Sequence, residues 1–436
     1  VLGAGIAGLL VARVLTETFP RVTVVDRDDL DRDDLDRDDL SGPTDRRGAP
    51  QARHLHALMD RGRQIVEELH PGIVEDLTAA GAPTSEVLVG GRYYMHGQRL
   101  RSTPTGLTSV LASRPLLEHV LRQRTLRLPG VSLRPRTAVV GLAVDETGRR
   151  VTGVRLRGEL LLAELVVDAS GRNSRTLDWL VAAGQQLPPS SRVTVDLGYS
   201  SRLYERRPEH LDGDNSVIIA TAPGLVGGGA VRTEGSRWIV TLAGLLGQHP
   251  PTDDAGFVAF ARDLAVPDVY DIVREAKPFT DPVPFRFRES VRRHFEALRQ
   301  PPEGLVVLGD ALCSFNPLYA QGMTVAAQQA LVLRGALADG GLPGLPRRFY
   351  RDVAPVVDVA WDMATSSDLR YPQVVGRRRL RWRVTGAYAA RAGRRAHTDP
   401  AVARTLMRVV NLVDPPTALL RPPLAARVLT PGTRGT

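Results

Sequence analysis

Apolar and polar positions follow several different rhythms along the chain. Val1-Leu2 runs into glycines at 3, 5 and 8 and then into Leu9-Leu10-Val11-Ala12-Arg13-Val14-Leu15, which predicts strand, tight turn and helix. Pro20 ends that helix, because proline has no N–H to donate. Val22–Val25 is largely β-branched and predicts a second strand, with Asp26 at its end. Gln51–Leu69 reads as a helix or extended segment and Ser85–Arg101 as a short hairpin. Arg114–Arg127 carries Leu116, Leu117, Val120 and Leu121 at helical spacing. Val131–Val144, Val151–Arg157 and Leu160–Val167 predict strands, the last closing on Asp168. Arg192–Tyr204, Ser216–Thr221 and Arg237–Leu242 follow in succession, the pattern of a mostly antiparallel sheet. Leu305–Leu308 predicts a buried strand before Gly309-Asp310, and Gly322–Leu337 a strong helix. From Arg347 onward the pattern is mixed and mostly helical, with a proline-rich end.

Composition narrows the class. A chain of 436 residues, 43% hydrophobic and 24% charged, excludes a collagen, a disordered tail and a small disulfide scaffold. The single cysteine, Cys313, rules out an intrachain disulfide, and with no sign of an oxidising compartment a cytoplasmic location is expected. Cys313 itself is expected to be a small buried side chain, and Trp238 a core residue. Apolar runs such as Leu160–Leu162 and Leu305–Leu308 are far too short to span a bilayer, so no integral membrane segment is expected. The chain opens inside an apolar strand rather than on a methionine, so residues upstream are expected.

The net charge is +9, carried almost wholly by arginine, since Lys277 is the only lysine. Arginine suits bidentate contact with phosphates and carboxylates. Aromatics at 5% are too sparse for a nucleic-acid stacking platform. The basic stretch Arg377–Arg383 reads as a solvated helix face ahead of a docking site for an acidic carrier protein or a membrane surface. Asp26–Leu40 repeats Asp-Arg-Asp-Asp-Leu three times, each copy carrying a charge of −2. It is expected to be a duplicated surface loop, cheap at roughly 0.6 kcal/mol per doubling of length. No His/Cys cluster has metal-ligand spacing, so no metal is expected.

The chemistry concentrates in the glycines. In Gly3-Ala4-Gly5-Ile6-Ala7-Gly8, Gly3 permits the turn, Gly5 lets backbone approach a pyrophosphate, and Gly8 lets helix pack on strand. The helix N-terminus then presents N–H groups and partial positive charge to the anion. Asp26, eighteen residues past Gly8 at the end of the next strand, is placed to accept hydrogen bonds from a ribose. This motif alone does not separate NAD from FAD.

Two later segments do. Leu165-Val166-Val167-Asp168-Ala169-Ser170-Gly171-Arg172 and Leu305-Val306-Val307-Leu308-Gly309-Asp310-Ala311, the latter continuing to Asn316-Pro317-Leu318-Tyr319-Ala320-Gln321-Gly322-Met323, follow the glycine turn in order. Here the chain resembles the FAD-dependent monooxygenases of the para-hydroxybenzoate hydroxylase superfamily. The resemblance implies that Gly3, Gly5, Ala7, Gly8, Asp26, Arg27, Arg53, Arg114, Val139, Asp168, Gly309, Asp310, Pro317, Gly322 and Met323 border FAD. Asp310 would accept from a ribityl or ribose hydroxyl, Arg114 reach the phosphates, main chain at Val139 meet the adenine, and Pro317 with Gly322-Met323 lay backbone beside the isoalloxazine. The central motif departs from the family, since Asp168 is followed by Ala-Ser-Gly. Asp168 is thereby equally readable as the end of a strand that braces the glycine turn. Phe315 and Tyr319 flank the flavin turn as pocket-lining or core residues. His54 and His56 either donate near the ring or hold their loop, and no side-chain acid or base is required.

The pattern and the resemblance together predict an α/β protein. A Rossmann-like FAD-binding domain spans 1–84, 101–185 and 290–345, an inserted mostly antiparallel β-sheet substrate domain 85–100 and 186–289, and a mostly helical C-terminal region 346–436. Arg47-Gly48-Ala49-Pro50-Gln51-Ala52-Arg53-His54-Leu55-His56, Glu68-Leu69-His70-Pro71-Gly72 and Asn316–Tyr319 further resemble bacterial polyether flavin epoxidases of the monensin and lasalocid type. That implies insertion of one oxygen atom from O₂, via a flavin hydroperoxide, into an olefin of an apolar polyketide-like substrate. Electrons would come from NAD(P)H or a separate flavin reductase, and an acyl carrier protein is a possible partner. The alternatives are an aromatic hydroxylase, a flavin halogenase, for which Lys277 is the only lysine, and a flavin-bound ligand binder.

Overall fold

A computed structural model describes residues 1–30 and 50–430. Only the first copy of the aspartate-rich repeat falls within it; the other two copies and Arg47–Ala49 lie outside the described residues. The chain forms an α/β structure built on two main sheets.

The first is parallel. Val131–Arg134 pairs with Val22–Val25, and Val166–Asp168 with Leu305–Val307. Leu2 bridges the two pairs, in parallel register with both Val25 and Asp168. The three key segments of the sequence are thus brought side by side on one sheet. The helix Ile6–Leu15 packs against the later helix Gly322–Ala338. Its apolar run buries Leu9, Leu10, Val11 and Ala12 completely, as expected of a helix that is apolar nearly all round rather than amphipathic.

The second sheet has eight strands. Their order is Cys313–Ser314, Val283–Arg293, Ser190–Glu205, Arg237–Gly244, Val226–Thr233, Ser216–Ile219, Gly91–Met95 and Gln98–Arg99. Neighbours run antiparallel except Ser216–Ile219 beside Gly91–Met95. Because Cys313–Ser314 pairs with Val291–Arg292, the Gly309–Met323 segment is stitched directly to this sheet. Trp238 is wholly buried here and donates its indole N–H to His210. Helices Leu345–Asp368, Leu380–Arg395, Pro400–Val410 and Pro422–Leu429 form the C-terminal region.

Local chemistry explains several boundaries. Ser113 caps the helix Arg114–Leu126 by accepting from Leu116 N–H, with Pro115 in the first turn. Ser113→Ala is expected to lower stability by about 1 kcal/mol in denaturant titration, without changing the fold. The expected strand Leu160–Val167 is two strands, Glu159–Leu162 at an edge and Val166–Asp168 in the core. The break follows burial: Leu160 and Leu162 are 54% and 68% exposed, whereas Val167 is fully buried. The span Val131–Val144 is likewise split, into Val131–Arg134 and Val139–Val144.

Candidate functional site

The glycine turn is as tight as its sequence requires. Gly3 has φ +97°, and a Cβ there would lie 2.7 Å from the carbonyl oxygen of Ala169. A Cβ on Gly8 would sit 1.8 Å from the carbonyl oxygen of Gly3, so only glycine lets the helix start this close to the strand. Gly5 faces the other way: a Cβ there would meet nothing nearer than Glu118 Oε1 at 4.0 Å. That leaves the first turn of the helix approachable by a ligand, and no acidic side chain occupies that turn.

Asp26 is buried, and its carboxylate accepts from Ala4 N–H at 2.6 Å and Asp28 N–H at 2.9 Å. It therefore holds the turn in addition to any ligand contact. Thr137 N–H donates to the carbonyl of Asp26, and Arg136 N–H to that of Asp28, which brings the half-buried Val139 to this end of the sheet. Arg27 and Arg53 are exposed. Asp168 is fully buried, and its carboxylate accepts from Ser170 N–H and from the hydroxyls of Ser170, Ser174 and Thr176. Four donors saturate it, and the adjoining Ala169 N–H bonds Leu2 O at 2.9 Å.

The late motif meets the glycine turn directly. At Gly309, φ +63°, a Cβ would lie 3.1 Å from Ala7 Cβ, and Gly309 N–H donates to Gln329 Oε1. Asp310 is half-buried, and among the described residues none donates to its carboxylate. Burial pushes its pKa up, while Arg114 and Arg172 oppose the shift. Asn316 caps the following turn through Leu318 N–H, Ala320 takes a left-handed φ of +52°, and the helix begins at Gly322. Gln321 Oε1 and Thr324 Oγ1 are buried there without partners. Cys313 is buried. Phe315 is 6% exposed within the main hydrophobic cluster.

Arg114 donates to Glu118 at 2.9 Å and contacts His56 Nε2 at 3.3 Å. Arg114, His56 and Met323 line one pocket with Leu58, Val66 and Leu117. His54 is buried, bonded through Nδ1 to Ser201 Oγ at 2.7 Å, and Ser201 in turn contacts Thr241. Thr241 also accepts from Leu55 N–H, so His54 is locked against the second sheet. Its ring packs with Tyr199 and Phe285, and its Nε2 has no partner. Arg172 lies over the ring of Phe287 at 4.9 Å.

Burial, aided by Arg53, pushes His54 down to about 4, and burial with Arg114 pushes His56 down to about 3. His70 falls to about 4 through burial, then Arg13 and Arg124. Each folded-state value lies below the ordinary 6.5, so the unfolded chain takes protons first as pH falls. The stability these neutral rings contribute is full above pH 6.5 and is lost toward pH 4. Asp368 and Asp310, both raised by burial, act in the opposite sense, whereas His96 and His210, also lowered by burial, act with the three rings. Thermal stability of flavin-free protein is expected to fall between pH 6.5 and 4.5, and a flat profile would contradict neutral buried histidines.

Sequence reasoning missed Asp368, Arg172 and the Ser201–Thr241 pair. Arg172 stood inside a quoted motif; the others carry no local signal.

The residues present fit FAD on structural grounds. Gly5 has an open face, Asp310 a donor-less carboxylate that feels the charge of Arg114 and Arg172, and the polar atoms of Gln321 and Thr324 are buried without partners. These groups lie on the glycine turn and on the segment that leads into the helix Gly322–Ala338. Among the described residues no group of three or more His, Cys, Asp or Glu could hold a metal ion, and no helix is long and apolar enough to cross a membrane.

The fold is that of flavin-dependent oxygenases and halogenases. The flavin-dependent brominase Bmp2 matches with a TM-score of 0.67 at 16% identity, over 94% of this chain and 92% of that one. A flavoprotein/dehydrogenase from Cytophaga hutchinsonii matches with a TM-score of 0.65 at 14% identity, over 94% and 91%. 2-Methyl-3-hydroxypyridine-5-carboxylic acid oxygenase matches with a TM-score of 0.59 at 17% identity, over 84% and 88%. Residues 230–343 match the squalene epoxidase family model. The chain belongs to the family of Protein Rv3254 of Mycobacterium tuberculosis (strain ATCC 25618 / H37Rv), with 32% identity over 437 residues, 95% of this chain and 89% of that protein.

Proposed function

We propose that this protein is an FAD-dependent monooxygenase that adds one oxygen atom from O₂ to an apolar small molecule, epoxidising an olefin of a polyketide-like substrate. The observation that carries the reading is the contact of Gly309 with Ala7, which sets Asp310 beside the glycine turn. Bound and reduced, FAD supplies the electrons that activate O₂. The chain's own part is to bind and orient. Helix Ile6–Leu15 would offer its N-terminus to the pyrophosphate, Arg114 would add positive charge, and Asp310 would accept from a hydroxyl of the cofactor. The helix Gly322–Ala338 would direct its positive end toward the ring, an interaction worth about 0.3–1 kcal/mol when exposed and up to ~2 when partly buried. The rings of Tyr199 and Phe285 pack with neutral His54 and would supply a largely apolar wall against water.

The match of residues 230–343 to squalene epoxidase supports an olefinic substrate. Asp368 is an observation in favour of the second reading, an aromatic hydroxylase, because a carboxylate that titrates near neutrality suits a phenol. It is fully buried and bonded to Asn316 and Tyr319, which weighs against that use. A halogenase needs a lysine near the ring, whereas Lys277 is exposed, its carbonyl accepting from Glu205 N–H. The test is incubation with NAD(P)H, alone or with a flavin reductase, under ¹⁸O₂. One labelled atom in an epoxide supports the proposal. A phenol moves the assignment to the hydroxylase, and a protein that cannot be reconstituted with FAD overturns both.

A further inference from the structure

We propose that Asp368 is the positioning residue of the 316–323 turn, clamping the backbone beside the isoalloxazine through Asn316 and Tyr319. This rests on the FAD reading above and assigns a residue that lies 52 positions from Asn316.

Asp368 ends the long helix Leu345–Asp368 and is 0% exposed. Its Oδ1 accepts from Asn316 Nδ2 at 2.8 Å and from the Tyr319 hydroxyl at 2.8 Å. Its Oδ2 is buried with no partner. Asn316, also 0% exposed, uses its other amide atom to accept from Leu318 N–H at 3.0 Å. The amide orientation is therefore determined at both ends: flipped, it would face an acceptor with an acceptor. Between the two clamped residues and the helix stands Ala320 at φ +52°, a left-handed backbone that is unfavourable for a non-glycine residue. Such a conformation persists where surrounding contacts over-determine it. Two side-chain hydrogen bonds onto one buried carboxylate do that here.

A packing role alone would not call for a carboxylate, since an apolar residue would fill the space without the penalty of a buried charge. The groups facing Asp368 are Tyr319 from the turn, Tyr199 from the sheet strand Ser190–Glu205, and Arg370 and Tyr371 just past the helix end. Burial pushes Asp368 up to about 7, against the pull of Tyr319, Asn316 and Arg370. The carboxylate therefore changes charge near neutrality. His54 and His56, held to about 4 and 3, stay neutral over the same range.

The test uses FAD-loaded full-length protein: wild type, Asp368→Asn and Asp368→Leu. Asparagine keeps an acceptor for both hydrogen bonds and carries no charge; leucine removes the clamp. The absorption and fluorescence of the oxidised flavin, which has no ionisation of its own near neutrality, are followed from pH 5.5 to 8.5, together with the FAD dissociation constant. Wild type is expected to show one inflection near pH 7. Asp368→Asn should lose the inflection while keeping FAD affinity within about threefold, and Asp368→Leu should bind FAD at least tenfold more weakly. An inflection that survives in Asp368→Asn, a wild type without one, or a Leu variant with undiminished affinity overturns the proposal while leaving the FAD reading intact. If the Leu variant does not fold, the Asn comparison decides. A wild type that takes up no FAD overturns both.

Discussion

Asp310→Ala is expected to yield a folded protein that binds FAD poorly. Among the described residues none donates to this carboxylate, so its removal breaks no intramolecular hydrogen bond. It also relieves a half-buried charge whose pKa burial has raised. Stability should therefore be unchanged or slightly increased. The cofactor loses an acceptor for its hydroxyl, and a hydrogen bond to a charged group is worth about 1.5–3 kcal/mol. That corresponds to roughly 10- to 100-fold weaker binding. Flavin fluorescence titration measures the loss and thermal unfolding measures the stability. A variant that binds FAD as tightly as wild type would remove Asp310 from the site.

Gly8→Val should fail differently, in fold and cofactor together. Its Cβ would stand 1.8 Å from a backbone oxygen, and no flexible side chain is there to give way. Strand and helix must separate, which displaces the turn that Asp26 holds through Ala4 N–H. A cost of about 3 kcal/mol or more is expected, in the range reserved for backbone and core disruptions. The purified variant should unfold at lower denaturant and carry no flavin. Normal stability with full flavin content would mean that this turn is not the tight element described.

What the sequence revealed, and what it hid, follows from the range of each interaction. Gly3 and Gly8 were legible because their constraint is local: the turn and the helix start lie within six residues. The strands closing on Asp26 and Asp168 were legible as apolar runs ending at a turn, whereas their parallel placement on either side of Leu2 is a property of the packed sheet. Strand Val226–Thr233 escaped because Gly227-Gly228-Gly229 looks like a loop, although Cβ atoms there would lie 2.5–2.9 Å from neighbouring carbonyl oxygens. Small residues are demanded by the crowding of adjacent strands, which composition does not reveal. Val283–Arg293 does alternate, Phe285 and Phe287 against Arg286 and Arg288, and a count at period two would have found it. The contacts His54–Ser201 and Asn316–Asp368 join residues 147 and 52 positions apart. Nothing local marks such pairs, because only the packed fold brings them together.

The central claim is that the Gly3–Gly8 turn and the Gly309–Met323 segment grip opposite stretches of one flavin. The most direct measurement is a crystal structure of the protein with FAD bound. The pyrophosphate is expected at the N-terminus of helix Ile6–Leu15, with Asp310 on a hydroxyl of the chain that joins it to the ring and the isoalloxazine along Pro317–Met323. A flavin bound elsewhere, or a nicotinamide nucleotide held between those two segments, would contradict it.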